Sequence, residues 1–97
     1  MSHLNKLLCD VVKTPHPDIT EMLLLKKADI NYIDPDRKSP LYYAIKAGME
    51  NQLDVLLAYH PNLNITDDHG QTLLHIAVRF GRLSIVAKLI ILKVAQG

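Results

Sequence analysis

Apolar and polar residues alternate along this chain at helical spacing. Leu4, Leu7, Leu8, Val11 and Val12 recur every three or four positions, which places them on one face of a helix from about Ser2 to Lys13. Pro15 stops it. A second amphipathic helix follows from about Asp18 to Lys27, with Ile19, Met22, Leu23 and either Leu25 or Leu24 expected to face inward. Ala28 to Lys38 is polar and carries Asp29, Asn31, Asp34, Pro35 and Asp36, residues that set φ or bond their own backbone, so no helix is expected there. Ser39-Pro40 is a start signal, because Ser39 can accept from an orphan backbone N–H and Pro40 loses nothing by lacking its own. That helix runs through Leu41, Ala44 and Ile45 to Gly48, a stop able to take positive φ. Leu53, Val55, Leu56 and Leu57 line the next helix, which ends near Tyr59.

The stretch Asp67 to Gly81 compresses a turn, a cap, an apolar helix face and a stop into DDHGQTLLHIAVRFG. Thr72 is its cap, Leu73, Leu74, Ile76, Ala77 and Val78 its apolar residues, and Gly81 its stop. The most apolar helix of the chain follows, from about Leu83 to Val94. A shift of 33 positions lays Asp34, Ser39, Leu41, Ala44 and Gly48 under Asp67, Thr72, Leu74, Ala77 and Gly81. A period of that length marks an array of stacked helical repeats, in which each hairpin covers an apolar face that its neighbour cannot cover alone.

The third unit, DxxGxTLLHIAxxxG from Asp67, and the second, DxxxxSPLYYAIxxG from Asp34, resemble the ankyrin repeat, and Ala28-Asp29-Ile30-Asn31 resembles its loop. The resemblance covers about Lys6 to Leu92. It implies an all-α solenoid of stacked helix-turn-helix units joined by β-hairpin-like loops, a single ankyrin-repeat domain over residues 1–97 with units at about 1–33, 34–66 and 67–97. Three departures matter. Arg37 stands where the pattern keeps the turn glycine retained as Gly70, so the second hairpin turn is expected to differ in shape. Lys27 and His60 stand where the family has a left-handed glycine, at a cost of about 1 kcal/mol each. These loops are expected to be the least regular part of the array.

Composition narrows the function. A formal net charge of +1 on 97 residues argues against a surface dedicated to nucleic acid or an acidic membrane. Cys9 is the single cysteine, so no internal disulfide forms. Asn5, Lys6 and Asp10 interrupt the apolar N-terminus, unlike a signal peptide, and Lys88 and Lys93 interrupt the longest apolar stretch. His60, His69 and His75 with Asp67 and Asp68 invite a metal or acid-base reading. Their spacing favours packing, because the resemblance assigns His75 to a bond with the cap hydroxyl of Thr72, and Tyr42 replaces that histidine in the second unit. Cys9 reads as a small buried hydrophobe. The basic pairs Lys26-Lys27 and Arg37-Lys38 are each offset by Asp29 or Asp36. The motifs of phosphate loops, serine hydrolases and metalloproteases do not occur in the sequence. No enzyme, cofactor or metal site is expected.

Family members bind other proteins through hairpin tips and first helices. At those positions stand Ile33, Pro35, Asp36, Lys38, Lys46 and Ala47 in the second unit, and Thr66, Asp68, His69, Gln71, Arg79 and Phe80 in the third. Phe80 and Arg79 are the candidate anchors, an aromatic and an arginine among polar neighbours; the plain alternative packs Phe80 against the Gly48 turn. The implied function is a non-catalytic adaptor, inhibitor or targeting module with a partner protein, inside the cell in cytoplasm or nucleus, or inside a host cell for an effector. The alternative is a structural subunit, or part of a longer array, assembling through Ile85, Leu89, Ile90, Ile91 and Leu92. A third reading makes Asn31 the substrate of an asparaginyl hydroxylase, because Leu23, Asp29, Ile30 and Asn31 resemble such a site. Against it, Asn31 ties its own loop.

Overall fold

The limits of the helix at Pro40–Ala47 and the start of the one at Leu73–Arg79 have causes within a few residues of them. A computed structural model describes residues 2–96, with side chains described for 3–92. Six helices follow one another: α1 (Ser2–Val11), α2 (Pro17–Leu25), α3 (Pro40–Ala47), α4 (Glu50–Ala58), α5 (Leu73–Arg79) and α6 (Leu83–Gln96). Ser39 Oγ accepts from the Tyr42 N–H at 3.1 Å, and Pro40 occupies the first turn of α3. Thr72 caps α5 reciprocally with His75: Thr72 Oγ accepts from the His75 N–H at 3.3 Å, and His75 Nδ1 accepts from the Thr72 N–H at 3.2 Å. Gly48 ends α3 at φ +70°, where a side chain would be strained.

The helices pair as α1 with α2, α3 with α4 and α5 with α6, and the pairs stack so that α1, α3 and α5 form one layer while α2 and α4 pack in the other. Between the layers lie Leu8, Val12, Leu24, Leu41, Ile45, Leu53, Leu56, Leu73, Ile76, Ile85 and Leu89, all buried. Ala44 and Ala77, 33 residues apart, are fully buried, and their small side chains let neighbouring pairs approach closely.

The turns that join the pairs repeat bond for bond. In the second unit Asp34 N–H donates to the Lys38 carbonyl at 2.9 Å, while Asp34 Oδ1 accepts from the N–H groups of Asp36 and Lys38. In the third, Asp67 N–H donates to the Gln71 carbonyl at 3.0 Å, while Asp67 Oδ1 accepts from His69 and Gln71. Arg37 at φ +65° copies Gly70 at φ +73°. The expected change of turn shape is therefore corrected: the Asp34 carboxylate and its bonds hold the turn, and Arg37 bears the strain. Lys27 (φ +75°) and His60 (φ +54°) likewise adopt the left-handed conformation, so the loops keep their repeat geometry. An isolated antiparallel bridge between Thr66 and Thr72 makes the third loop hairpin-like.

The inward face of α2 also needs correction. Ile19, Met22 and Leu25 are exposed, and Thr20, Leu24 and, in part, Leu23 turn inward. In the same way Leu7 lies on the outside of α1. The reason is a buried polar bridge. The Thr20 hydroxyl donates to Gln52 Oε1, and Gln52 Nε2 donates to the carbonyls of Val11 at 3.0 Å and Thr14 at 2.7 Å. Gln52 thereby rotates α2 and closes the end of α1 at once.

Candidate functional site

The hairpin turns that cap the helix pairs also present their tips to solvent, and α1, α3 and α5 present one flank each beside them. Of the twelve residues expected to bind a partner, Ile33, Pro35, Asp36, Thr66, Asp68 and His69 are exposed at the tips, and Lys46 and Arg79 are exposed on α3 and α5. Ala47 and Phe80 are half-buried. Lys38 and Gln71 are half-buried too, and structural duties hold them. Lys38 Nζ donates to Asp68 Oδ1 at 2.9 Å, bridging the second and third tips, which corrects the expected offset of Lys38 by Asp36. That bond raises the lysine pKa above its ordinary value and lowers the Asp68 carboxyl below its own. The Gln71 backbone closes the Asp67 turn, and its N–H donation is the leading reason that the Asp67 carboxyl is held below the usual carboxylate range.

Phe80 sits among cations. Its ring centroid lies 5.9 Å from Lys46 Nζ and 5.6 Å from the Arg79 guanidinium carbon, and its edge meets Tyr42 at 6.4 Å between centroids. The Gly48 turn is occupied by Arg82 instead, whose Nε and Nη2 donate to the carbonyls of Ile45 at 3.2 Å and Lys46 at 2.5 Å. A cation on the last carbonyls of α3 completes that helix end.

Two residues absent from the expected set extend this flank toward α1. Lys13 Nζ stands 4.4 Å from the Tyr43 ring centroid, and the Tyr43 hydroxyl bonds Asp34 Oδ2. Burial and then that bond push the Tyr43 phenol well above its ordinary pKa. Lys13, Tyr43, Lys46 and Ala47 line one depression of about 310 Å³, which meets another of about 400 Å³ containing Lys6, Asp10, Pro35 and Asp36. A signal for Tyr43 was present: it precedes Lys46 and Ala47 by three and four residues, so it shares their helix face.

The chemically suggestive residues have other roles or other places. Thr72 Oγ and His75 Nδ1 stand 2.7 Å apart, and acceptance from the Thr72 N–H puts the ring proton on Nε2. His69 is at a tip, 3.9 Å from Asp68, and His60 in a separate loop. Among the described residues no group of three or more His, Cys, Asp and Glu is placed to hold a metal ion. Cys9 is buried, and that burial, before the nearby Asp34 and Asp10, pushes its thiol up to about 12, which suppresses the thiolate. Asn31 Oδ1 accepts from the Asn62 N–H at 2.8 Å and ties one loop to the next. No described helix is long and apolar enough to cross a membrane.

Paired helices stacked at a 33-residue period, with turn tips and one helix flank left over, define a class: the helical-repeat modules whose faces recognise other proteins. The chain belongs to the ankyrin-repeat family, whose model, three copies of the repeat, matches residues 8–96. It is similar to the ARF GTPase-activating protein Git of Drosophila melanogaster, 36% identical over 67 residues, 68% of this chain and 9% of that protein. It is also similar to the transient receptor potential cation channel subfamily A member 1 of Homo sapiens, 33% identical over 64 residues, 66% of this chain and 6% of that protein. The chain thus spans less than a tenth of the length of either relative. Ankyrin repeats generally mediate protein–protein interaction and are in general non-catalytic.

Proposed function

We propose that this chain is a non-catalytic intracellular module that holds a partner protein along the hairpin tips and the adjoining flank of α1, α3 and α5. One observation carries the reading: Lys13, Tyr43, Lys46, Arg79 and Phe80 cluster on one continuous side as alternating cations and rings, outside the buried core between the layers. Aromatic rings at fixed positions supply contact area at little entropic cost, and the surrounding cations select carboxylates on the partner. Asp36, exposed at the second tip, favours a cation at the opposite edge.

Affinity capture from lysate, compared between the wild-type chain and Phe80→Ala/Arg79→Ala, tests this. Proteins retained by the wild type and lost from the double variant, with an unchanged helical spectrum, support the face. Equal retention by both refutes it.

A further inference from the structure

The assembly surface expected on α6 is corrected by burial: Ile85 and Leu89 are buried within the third pair, Leu92 is half-buried, and Ile90 and Ile91 remain exposed. The side made by α1, α3 and α5 carries a more regular feature. Lys13, Lys46 and Arg79 are spaced by 33 residues, so three exposed cations occupy one register, one in each unit. A cation suits the negative end of a helix, which accounts for each of them separately. Their neighbours call for more. Lys13 Nζ stands 4.4 Å from the ring centroid of Tyr43 and Lys46 Nζ 5.9 Å from that of Phe80, so each lysine meets a ring of the following unit. Arg79 shares Phe80 at 5.6 Å. Elsewhere Lys38 holds Asp68, and Lys88 holds Glu50 and Asp54. Among the described residues neither Lys46 nor Arg79 has a carboxylate within ion-pair reach, and Lys13 has Asp10 at 3.8 Å with both side chains about half in water. A pair so exposed contributes little.

Three cations in a row leave two gaps, one at each junction inside the stack, so neither depends on what lies beyond the ends. The first gap is the depression of about 310 Å³ lined by Lys13, Tyr43, Lys46 and Ala47, with no acidic residue among them. The second lies between Lys46 and Arg79, beside Phe80. Packed helices run about 8–10 Å apart, so a row crossing α1, α3 and α5 steps by about that distance. A polyproline II chain has three residues to the turn and rises about 3.1 Å per residue, which returns every third side chain to one face after about 9 Å. A β-strand turns every third side chain to the opposite face. We infer that the flank, on the reading that it holds a partner protein, takes an extended acidic segment of that partner in polyproline II form. The segment lies across the three first helices with a carboxylate facing the row at every third residue. Rings steady the lysine stems, and the charged heads meet the carboxylates. Lys46, as the middle cation, serves both gaps.

Three synthetic peptides test this by titration into the isotope-labelled chain at low ionic strength, read from backbone amide NMR signals. One repeats Glu-Pro-Pro four times, the second repeats Gln-Pro-Pro, and the third has the composition of the first with its glutamates grouped at one end. The Glu-Pro-Pro peptide is expected to move the signals of Tyr43, Lys46, Ala47, Arg79 and Phe80 and to saturate. The glutamine peptide is expected to leave them in place, and the grouped peptide to bind about fivefold more weakly, since it serves one gap. Lys46→Gln, with signals elsewhere unchanged, is expected to weaken the Glu-Pro-Pro peptide by about fivefold or more. Absence of shifts with the Glu-Pro-Pro peptide overturns the inference. So do equal shifts with the glutamine or grouped peptide, an unaffected Lys46→Gln, or inorganic phosphate that moves the same signals equally at the same concentration. A silent Glu-Pro-Pro peptide alongside lysate capture that is lost in Phe80→Ala/Arg79→Ala overturns the acidic segment and keeps the face. A silent peptide alongside equal capture removes both.

Discussion

Gln52→Leu isolates the polar bridge that turns α2 inward. The substitution nearly preserves volume and removes three hydrogen bonds, from the Thr20 hydroxyl and to the carbonyls of Val11 and Thr14. The Val11 carbonyl keeps partners, the Thr14 N–H at 3.0 Å and the Thr14 hydroxyl at 2.6 Å. The fully buried Thr20 hydroxyl and the Thr14 carbonyl lose theirs. Each orphan costs about 1–3 kcal/mol, while the leucine returns about 1–2 kcal/mol of apolar burial, for a net loss of about 0–5 kcal/mol, centred at about 2.5. A domain of this size has a total stability of about 5–15 kcal/mol, so the loss is large. Thr20→Val added to Gln52→Leu removes one orphan and is expected to recover about 1–2 kcal/mol. Thr20→Val alone, which strands Gln52 Oε1, is expected to cost about 1–2 kcal/mol. The sign of the second mutation thus reverses with the first. Urea unfolding followed by far-UV circular dichroism reads all four proteins, with unchanged slopes as the check that only stability moved. Additive effects, with coupling within about 0.5 kcal/mol of zero, would refute the bridge as the cause of the α2 orientation.

Three further outcomes follow from local geometry. Gly48→Ala places a Cβ at φ +70° and 3.0 Å from the Arg82 guanidinium carbon, so it is expected to cost about 2 kcal/mol through strain and the displaced cap, measured by thermal melting. Arg37→Gly relieves a positive φ in an exposed turn whose Asp34 bonds do not involve the arginine side chain, and is expected to stabilise by about 0.5–1 kcal/mol; a lower melting temperature would contradict it. Asp67 has a carboxyl pKa lowered below 3.8, chiefly by the Gln71 N–H, so its ionised form contributes stability that is full above the unfolded value and fades as pH falls toward the folded one. Asp67→Asn is accordingly expected to be less stable than wild type at neutral pH, with the gap narrowing below about pH 4, read from urea midpoints at a series of pH values.

The sequence carried its helix limits well because their causes are short. Ser39 with Pro40, Thr72 with His75, and Gly48 all act across three or four residues, and Asp34 and Asp67 fold their turns through their own backbone neighbours. Asp34 also explains why a glycine rule misled: the aspartate's bonds are strong enough to hold Arg37 at positive φ, and they were visible in the sequence as an aspartate at the same register. Of the candidate face, the tips and the Arg79-Phe80 pair were legible from the repeat register. Lys13 and Tyr43 were not singled out, because the packing of α1 against α3 is what brings them together.

What the chain determined alone was the period, the caps, the turns and hence membership of a helical-repeat family, since all of these are satisfied within one unit of about thirty residues. What only the tertiary structure decided was which apolar residues are inside. Helical periodicity draws a stripe, but Leu8, Leu41 and Leu74 occupy one register on it and differ in burial, because among the described residues a further unit packs over the first two and not over the third. Gln52 and Arg82 show the same logic in polar form: each finds its acceptors more than thirty-five residues away, at or just past the end of a helix that its own neighbourhood in the sequence does not specify.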